Sequence, residues 1–249
     1  MEINFILPLG FFFIAFFYSM VGFGGGSSYL AVLVLAGLPY QNIPSTALVC
    51  NLIVTIGGCW HFYKAGYFKW QNVLPFMVFS IPMAYWGGRI VIGRELFCLL
   101  LGISLLVVAV RMFLSSESFE NPKDISWRYA WIVGLPLGGL LGFLSGLVGI
   151  GGGVFLSPLL LLMRWVNIKE AAASASFFIV VNSLAGLAGH LQKGTAHFEG
   201  ILPLGLAVLL GGQIGSRMGA HQMPKSRLQQ LLAGLVLYAA VKLLMEAGA

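Results

Sequence analysis

The sequence predicts an all-α polytopic membrane protein made of two inverted-topology repeats, each a glycine-interrupted helical hairpin followed by three membrane-spanning helices. Three observations predict it: composition, segment length and an internal duplication. Of 249 residues, 59% are hydrophobic and only 9% charged, against about 25% charged in soluble domains. Several apolar segments approach the roughly 20 residues that a helix needs to cross a bilayer. Lipid offers backbone groups no hydrogen-bond partners, so such segments fold as helices or lie buried in protein. A lipid-facing barrel would show short alternating strands; these runs are continuous, which excludes it.

The duplication is read directly. Residues 21–26, VGFGGG, return as VGIGGG at 148–153, with five of six positions identical at an offset of 127. Ser45, Gly57, His61 and Lys64 meet Ser174, Gly186, His190 and Lys193 at an offset of 129, and Gly87-Gly88-Arg89 meets Gly215-Ser216-Arg217 at 128. Chance matches would not hold nearly one offset over so long a stretch.

Each half has the same order of segments. An apolar run (4–20; 129–148) leads into the glycines, and a short apolar piece follows (27–37; 154–163). That piece is too short to span at 1.5 Å per residue. Three longer segments complete each half: 43–62, 73–92 and 96–114, then 171–191, 200–216 and 228–246. The chain thus divides into a first transmembrane repeat (1–114), a charged linker (115–128) and a second repeat (129–249).

Charge distinguishes inverted from parallel repeats. If each glycine-interrupted unit enters and leaves on one side, each half crosses an odd number of times. The 14 Lys and Arg residues then divide ten to four between the two faces. If the unit crosses once, they divide seven to seven. Cytoplasmic loops carry the excess of Lys and Arg, so the inverted arrangement is expected, with the linker cytoplasmic and both termini outside.

A net charge of +6 does not point to nucleic acid, because the cations stand singly between apolar runs without a basic stripe. Cys50, Cys59 and Cys98 lie in apolar stretches without metal-ligand spacing, so they read as small core residues, with no metal or cofactor expected. The segment after Met1-Glu2-Ile3-Asn4 has no basic leader and no cleavage site, which reads as a retained span.

The glycine runs are the first candidate site. Gly24, Gly25, Gly26 and Ser27, with Gly151, Gly152, Gly153 and Val154, stand where backbone breaks between a long and a short apolar segment. Non-helical backbone at membrane depth must be buried or line a cavity. A helix starting after the break aims its free N–H groups and positive dipole end into the protein, which suits an anion. In inverted repeats two such ends can meet near the midplane. Close helix packing by small residues is the competing explanation; recurrence at equivalent places favours a site.

The next helices add Ser45, Thr46 and Asn51 in the first half and Ser174, Ser176, Asn182 and Ser183 in the second. These can donate to oxyanion oxygens; taken singly, each is equally able to bond backbone or bridge helices. His61 and His190 are equivalent and are candidates for proton or anion contact, against a reading as interfacial histidines beside Lys64 and Lys193. Arg89 and Arg217 read as helix-end residues that snorkel. All eight acids lie at segment ends or in loops, which argues against cation transport and a carboxylate proton relay.

At these residues the chain resembles the sulfite exporter TauE/SafE family. The likeness rests on GFGGGSS at 22–28, GIGGG at 149–153, the starts Pro44-Ser45-Thr46-Ala47 and Ala173-Ser174-Ala175-Ser176, and the stretch Asn182-Ser183-Leu184-Ala185-Gly186. It covers nearly the whole chain. The resemblance implies a multi-pass carrier in a prokaryotic inner membrane for sulfite, sulfonates or related organic anions. The first half departs from the second at Cys50-Asn51-Leu52 and at Tyr29, where the second half has Leu156.

The expected function is therefore secondary transport of a small anion by alternating access, with a coupling proton and a homo-oligomer left open. A passive anion channel over the same glycine-lined path is the alternative. An enzyme is not expected, since neither a HExxH nor a Gly-x-Ser-x-Gly motif occurs.

Overall fold

A computed structural model describes residues 6–36, 43–90, 126–192 and 201–247, together with Leu99, Gly102, Ile103, Leu106, Val110 and Pro122. The apolar segment 96–114, nearly all of the linker 115–128 and both extreme termini lie largely or wholly outside the described residues. The regular elements described are all helical: α1 (Ile6–Met20), α2 (Gly26–Leu35), α3 (Ile43–Lys64), α4 (Trp70–Arg89), α5 (Trp127–Val148), α6 (Gly153–Leu162), α7 (Ile168–Gln192), α8 (Ile201–Arg217) and α9 (Lys225–Ala247). A π-helical turn, Met218–Gln222, extends α8. Four helices, α3, α5, α7 and α8 with its π turn, are long and apolar enough to cross a membrane. The protein is a multi-pass membrane protein. The short pieces α2 and α6 have ten residues each, about 15 Å of helix.

Local chemistry fixes several helix ends. Ser126 caps α5 by accepting from Tyr129 N at 3.3 Å, and Gly149 ends it in the left-handed region, its N–H donating to Ser145 O. Asn167 begins α7: its Oδ1 accepts from Lys169 N and Glu170 N, while Asn167 N donates to Glu170 Oε2 at 3.1 Å. This is a reciprocal capping box. Lys69, in the loop after α3, pairs with the same Glu170 at 2.6 Å and ties the two halves together.

Packing rests on glycine stripes. A Cβ on Gly138, Gly142 or Gly146 of α5 would collide with backbone of Phe76, Ser80 or Ala84 of α4. On α8 and its π turn, a Cβ on Gly211, Gly215 or Gly219 would collide with the carbonyls of Phe12, Phe16 and Met20. Four-residue spacing places each stripe on one helix face, and small residues are what let helices approach closely in lipid. The contacts advance in the same order on both members, so α4 runs parallel to α5 and α1 runs parallel to α8. Under the repeat, α1 matches α5 and α4 matches α8, so the two pairs are equivalent. The stripe itself changes side, from the hairpin arm α5 in one pair to the later helix α8 in the other.

The equivalent helices α3 and α7 pack together at the centre. A Cβ on Gly58 would lie 3.0 Å from Ser176 Oγ, and one on Gly186 would lie 3.7 Å from Leu48 Cδ1. The reversed order means that α3 and α7 run antiparallel. Outside this core, apolar side chains such as Leu202 (72% exposed) and Ile132 (71% exposed) face outward, as lipid-facing surface requires. Exposed Trp60, Trp70, Trp86 and Trp127 lie close to helix ends, where amphipathic rings mark the interface.

Candidate functional site

The breaks fall where the glycines predict. Gly25 has φ +91° and Gly152 has φ +76°, a region open to glycine and costly for side-chain-bearing residues. Both then start a short helix alike. Gly25 O accepts from Ser28 N and Tyr29 N, each at 3.0 Å; Gly152 O accepts from Phe155 N and Leu156 N at 3.1 and 3.3 Å. The first N–H groups of α2 and α6 are thus left at the two loops.

Each loop packs on the other half. Gly22 lies against the carbonyl of Ala172 at the start of α7, and a Cβ on Gly149 would lie 3.1 Å from Pro44 at the start of α3. Ser176 Oγ is 3.0 Å from Gly22 O and 3.0 Å from Ala172 O. The loops also meet each other: a Cβ on Gly26 would lie 3.0 Å from Ile150 O. Asn51, fully buried, stands at this junction. Its Nδ2 donates to Ile150 O at 3.2 Å, and its amide lies against Gly24 and Gly26 while also approaching Gly151.

Seven buried side-chain polar atoms among the described residues have no hydrogen-bond partner: Tyr29 Oη, Ser45 Oγ, Asn51 Oδ1, Ser145 Oγ, Ser174 Oγ, Asn182 Oδ1 and Ser183 Oγ. Tyr29 Oη approaches Gly25, Asn51 Oδ1 approaches Gly24, Ser183 Oγ approaches Gly151 and Ser145 Oγ approaches Gly152. Ser45 and Ser174 are a repeat-equivalent pair at the starts of α3 and α7, both fully buried. A buried polar group without a partner costs about 1–3 kcal/mol, and native proteins hold few. Here four of the seven stand against glycines of the two loops.

The expected residues thus divide. Gly24, Gly25, Gly26, Gly151, Gly152, Gly153 and Asn51 come together, with Ser27 and Val154 buried in the first turns of α2 and α6. Thr46 is buried beside Ser45. Ser176 is engaged with backbone, and Asn182 Nδ2 donates to Phe178 O of its own helix at 2.8 Å. His61 and His190 lie near the C-terminal ends of antiparallel helices, so they are at opposite ends of the pair. His61 Nδ1 is 2.9 Å from Ser216 Oγ, and His190 Nε2 is 3.1 Å from Gly146 O.

Three contributors escape the sequence reading of the site. Tyr29 is the polar departure from its counterpart Leu156, a signal that was present. Ser145 lies in a glycine-rich helix with nothing local to single it out. Lys242 of α9 donates through Nζ to Ser27 O at 2.6 Å, bringing a cation to the first turn of α2 from 215 residues away in sequence. No carboxylate stands among these groups. The site offers hydroxyls, amides and helix N-termini.

Comparison with known proteins identifies the class. The family model described as sulfite exporter TauE/SafE matches residues 7–243. The chain belongs to that family. Within the TauE/SafE family it is 34% identical over 244 residues to the probable membrane transporter protein y4hK of Sinorhizobium fredii, covering 96% of this chain and 97% of the relative. It is 23% identical over 233 residues to the probable membrane transporter protein YunE of Bacillus subtilis, covering 84% and 85%. It is also 29% identical over 195 residues to the probable membrane transporter protein MJ0441 of Methanocaldococcus jannaschii, covering 74% and 70%. No solved structure matches it significantly. The relatives carry names of membrane transporters, and a transporter of this family implies a small substrate and a bilayer.

Proposed function

We propose that this TauE/SafE protein is a secondary transporter of a small sulfur-containing or organic anion, such as sulfite or a sulfonate. Substrate binds between the glycine loops of the two repeats near the bilayer midplane and moves by alternating access. One observation carries the reading: two glycine loops touch, and partnerless buried hydroxyl and amide groups gather around them. The hydroxyls of Tyr29, Ser45, Ser145, Ser174 and Ser183 can donate to oxyanion oxygens. The amide oxygens of Asn51 and Asn182 accept, so a ligand with acceptor oxygens and one proton of its own fits the set. Two helix N-termini add positive potential without a formal charge.

The inverted relation of the repeats belongs to the same proposal. It is supported by the antiparallel course of the equivalent helices α3 and α7 and by the ten-to-four division of cations. Placement in a prokaryotic cytoplasmic (inner) membrane, with both termini outside, is the reading that this division and the relatives' organisms support.

The test is ligand-dependent thermal stabilisation of the purified protein across sulfite, sulfate, short sulfonates and carboxylates, with flux of the best ligand in proteoliposomes. A carrier shows flux accelerated by substrate on the far side; a channel shows no such dependence. Stabilisation by an organic cation, with no anion competing, overturns the reading.

A further inference from the structure

A cleft of about 530 Å³ opens between the ends of α3 and α8, lined by His61, Gln213, Ile214, Arg217, Met218 and Gln222. It lies apart from the glycine loops. Among the described residues its lining holds a guanidinium, an imidazole and two primary amides, and no carboxylate. Lys64 and His221 are within electrostatic reach of His61 as well. Among the described residues at this end, the acid Glu170 is already paired with Lys69. The outer wall is the π-helical turn Met218–Gln222, an element frequent at functional sites.

The cleft has a floor that leads inward. His61 Nδ1 is 2.9 Å from Ser216 Oγ. Across Gly58, whose Cβ would lie 3.0 Å from Ser176 Oγ and 4.0 Å from Ser216 Cβ, stands Ser176. Ser176 Oγ is in turn 3.0 Å from Gly22 O. Small residues and hydroxyls thus connect the cleft to the loop 21–25.

Among the described residues, the counterparts at the other end are arranged differently. There His190 is buried against Gly146 O, and a Cβ on Gly88 would lie 2.6 Å from Gly186 O. Arg89, the counterpart of Arg217, stacks over the rings of Tyr85 and Trp86 at 5.7 and 5.3 Å. Arg89 therefore has the snorkelling arrangement, whereas Arg217 borders an open cleft. Sequence symmetry gave both arginines one role; the surroundings separate them.

We propose that the His61–Arg217 cleft is a second anion site, a mouth that concentrates a small oxyanion before it reaches the loop 21–25. As a mouth on a transport path it rests on the transporter reading; as an anion site it can be tested without flux. The probe is an alkylsulfonate. In a background with Cys50, Cys59 and Cys98 replaced by Ala, Gln222→Cys is modified with sulfonatoethyl methanethiosulfonate and with its trimethylammonium analogue. The thiolate attacks the thiosulfonate sulfur, forms the mixed disulfide and expels methanesulfinate.

The anionic-to-cationic rate ratio at position 222 is expected to exceed that of a control thiol at position 245 by about tenfold. Arg217→Gln removes most of that excess, Arg217→Lys restores much of it, and added methanesulfonate slows the anionic reagent. A ratio equal to the control, or one insensitive to both Arg217→Gln and methanesulfonate, overturns the cleft. The two readings fail separately: methanesulfonate protection without flux of any anion sinks the transporter reading alone, and flux without protection sinks the cleft alone.

Discussion

Asn51 and Ile179 occupy equivalent positions in the two halves. The Asn51 amide lies against Gly24 and Gly26, and the Ile179 side chain lies against Gly151 and Gly153. One half thus meets its glycine loop with a hydrogen-bonding group and the other with a hydrocarbon. This pairing by contact has an offset of 128 residues, one less than the 129 that joins Ser45 to Ser174 and His61 to His190, so Asn182 stands three positions past the spatial counterpart of Asn51. The proposed binding groups are consequently not symmetric.

Asn51→Leu is therefore expected to weaken substrate binding by roughly 1–3 kcal/mol, the loss of a hydrogen bond to a charged partner. Asn182→Ala is expected to cost less, because Asn182 bonds within its own helix at Phe178 O whereas the Asn51 amide bonds across to the other glycine loop at Ile150 O. Affinities of the parent and both variants, from titrations of thermal stability with the best anion, decide it. Equal losses in the two variants would remove the asymmetry.

Gly25→Val and Gly152→Val should abolish flux while leaving protein in the membrane. Both positions have positive φ, and a Cβ would lie 2.8 Å from Ile14 Cγ2 at Gly25 and 2.9 Å from Phe178 Cε1 at Gly152. A left-handed β-branched residue costs about 1–3 kcal/mol and displaces the loop that carries the helix N-terminus. Proteoliposome flux and membrane yield are the paired measurements. Normal flux in both variants takes the loops out of the mechanism.

Stability should respond to glycines according to what faces them. Gly146→Ile would drive a side chain into the backbone of Ala84 and is expected to prevent recovery of folded protein. Gly139→Ala meets Phe79 at an ordinary 3.6 Å and should be tolerated. Gly10 and Gly234 have nothing within 4 Å of a new Cβ, so Ala there should be neutral or stabilise by about 0.5–1 kcal/mol. Melting temperatures in detergent rank the set.

The inverted arrangement predicts sidedness. Single cysteines at positions 64, 120 and 222 should label from the cytoplasm, and those at 2 and 248 from outside. His61 and Ser216 touch, so positions 64 and 222 must report the same side whatever the orientation. Termini sharing a side with position 120 would defeat the inverted reading.

Much of the architecture was legible because lipid makes it local. A backbone without water must bond to itself, so each long apolar run becomes a helix, and 43–62 and 171–191 fall within α3 and α7. Duplication made the two breaks visible, since a glycine run repeated at one offset stands out in a single sequence. The chain also disclosed its family through those motifs. What the sequence could not decide is which groups face one another. Pairing by residue type joins Asn51 to Asn182, 131 positions apart, but a shift of three positions is nearly a full helical turn, and only the packed α3 and α7 reveal Ile179 as the partner. Ser145 and Lys242 joined the site through contacts from other helices, and Arg217 differs from Arg89 only by what surrounds it. Helix formation depends on neighbours along the chain; a site and a cleft depend on distances across it, which close packing sets.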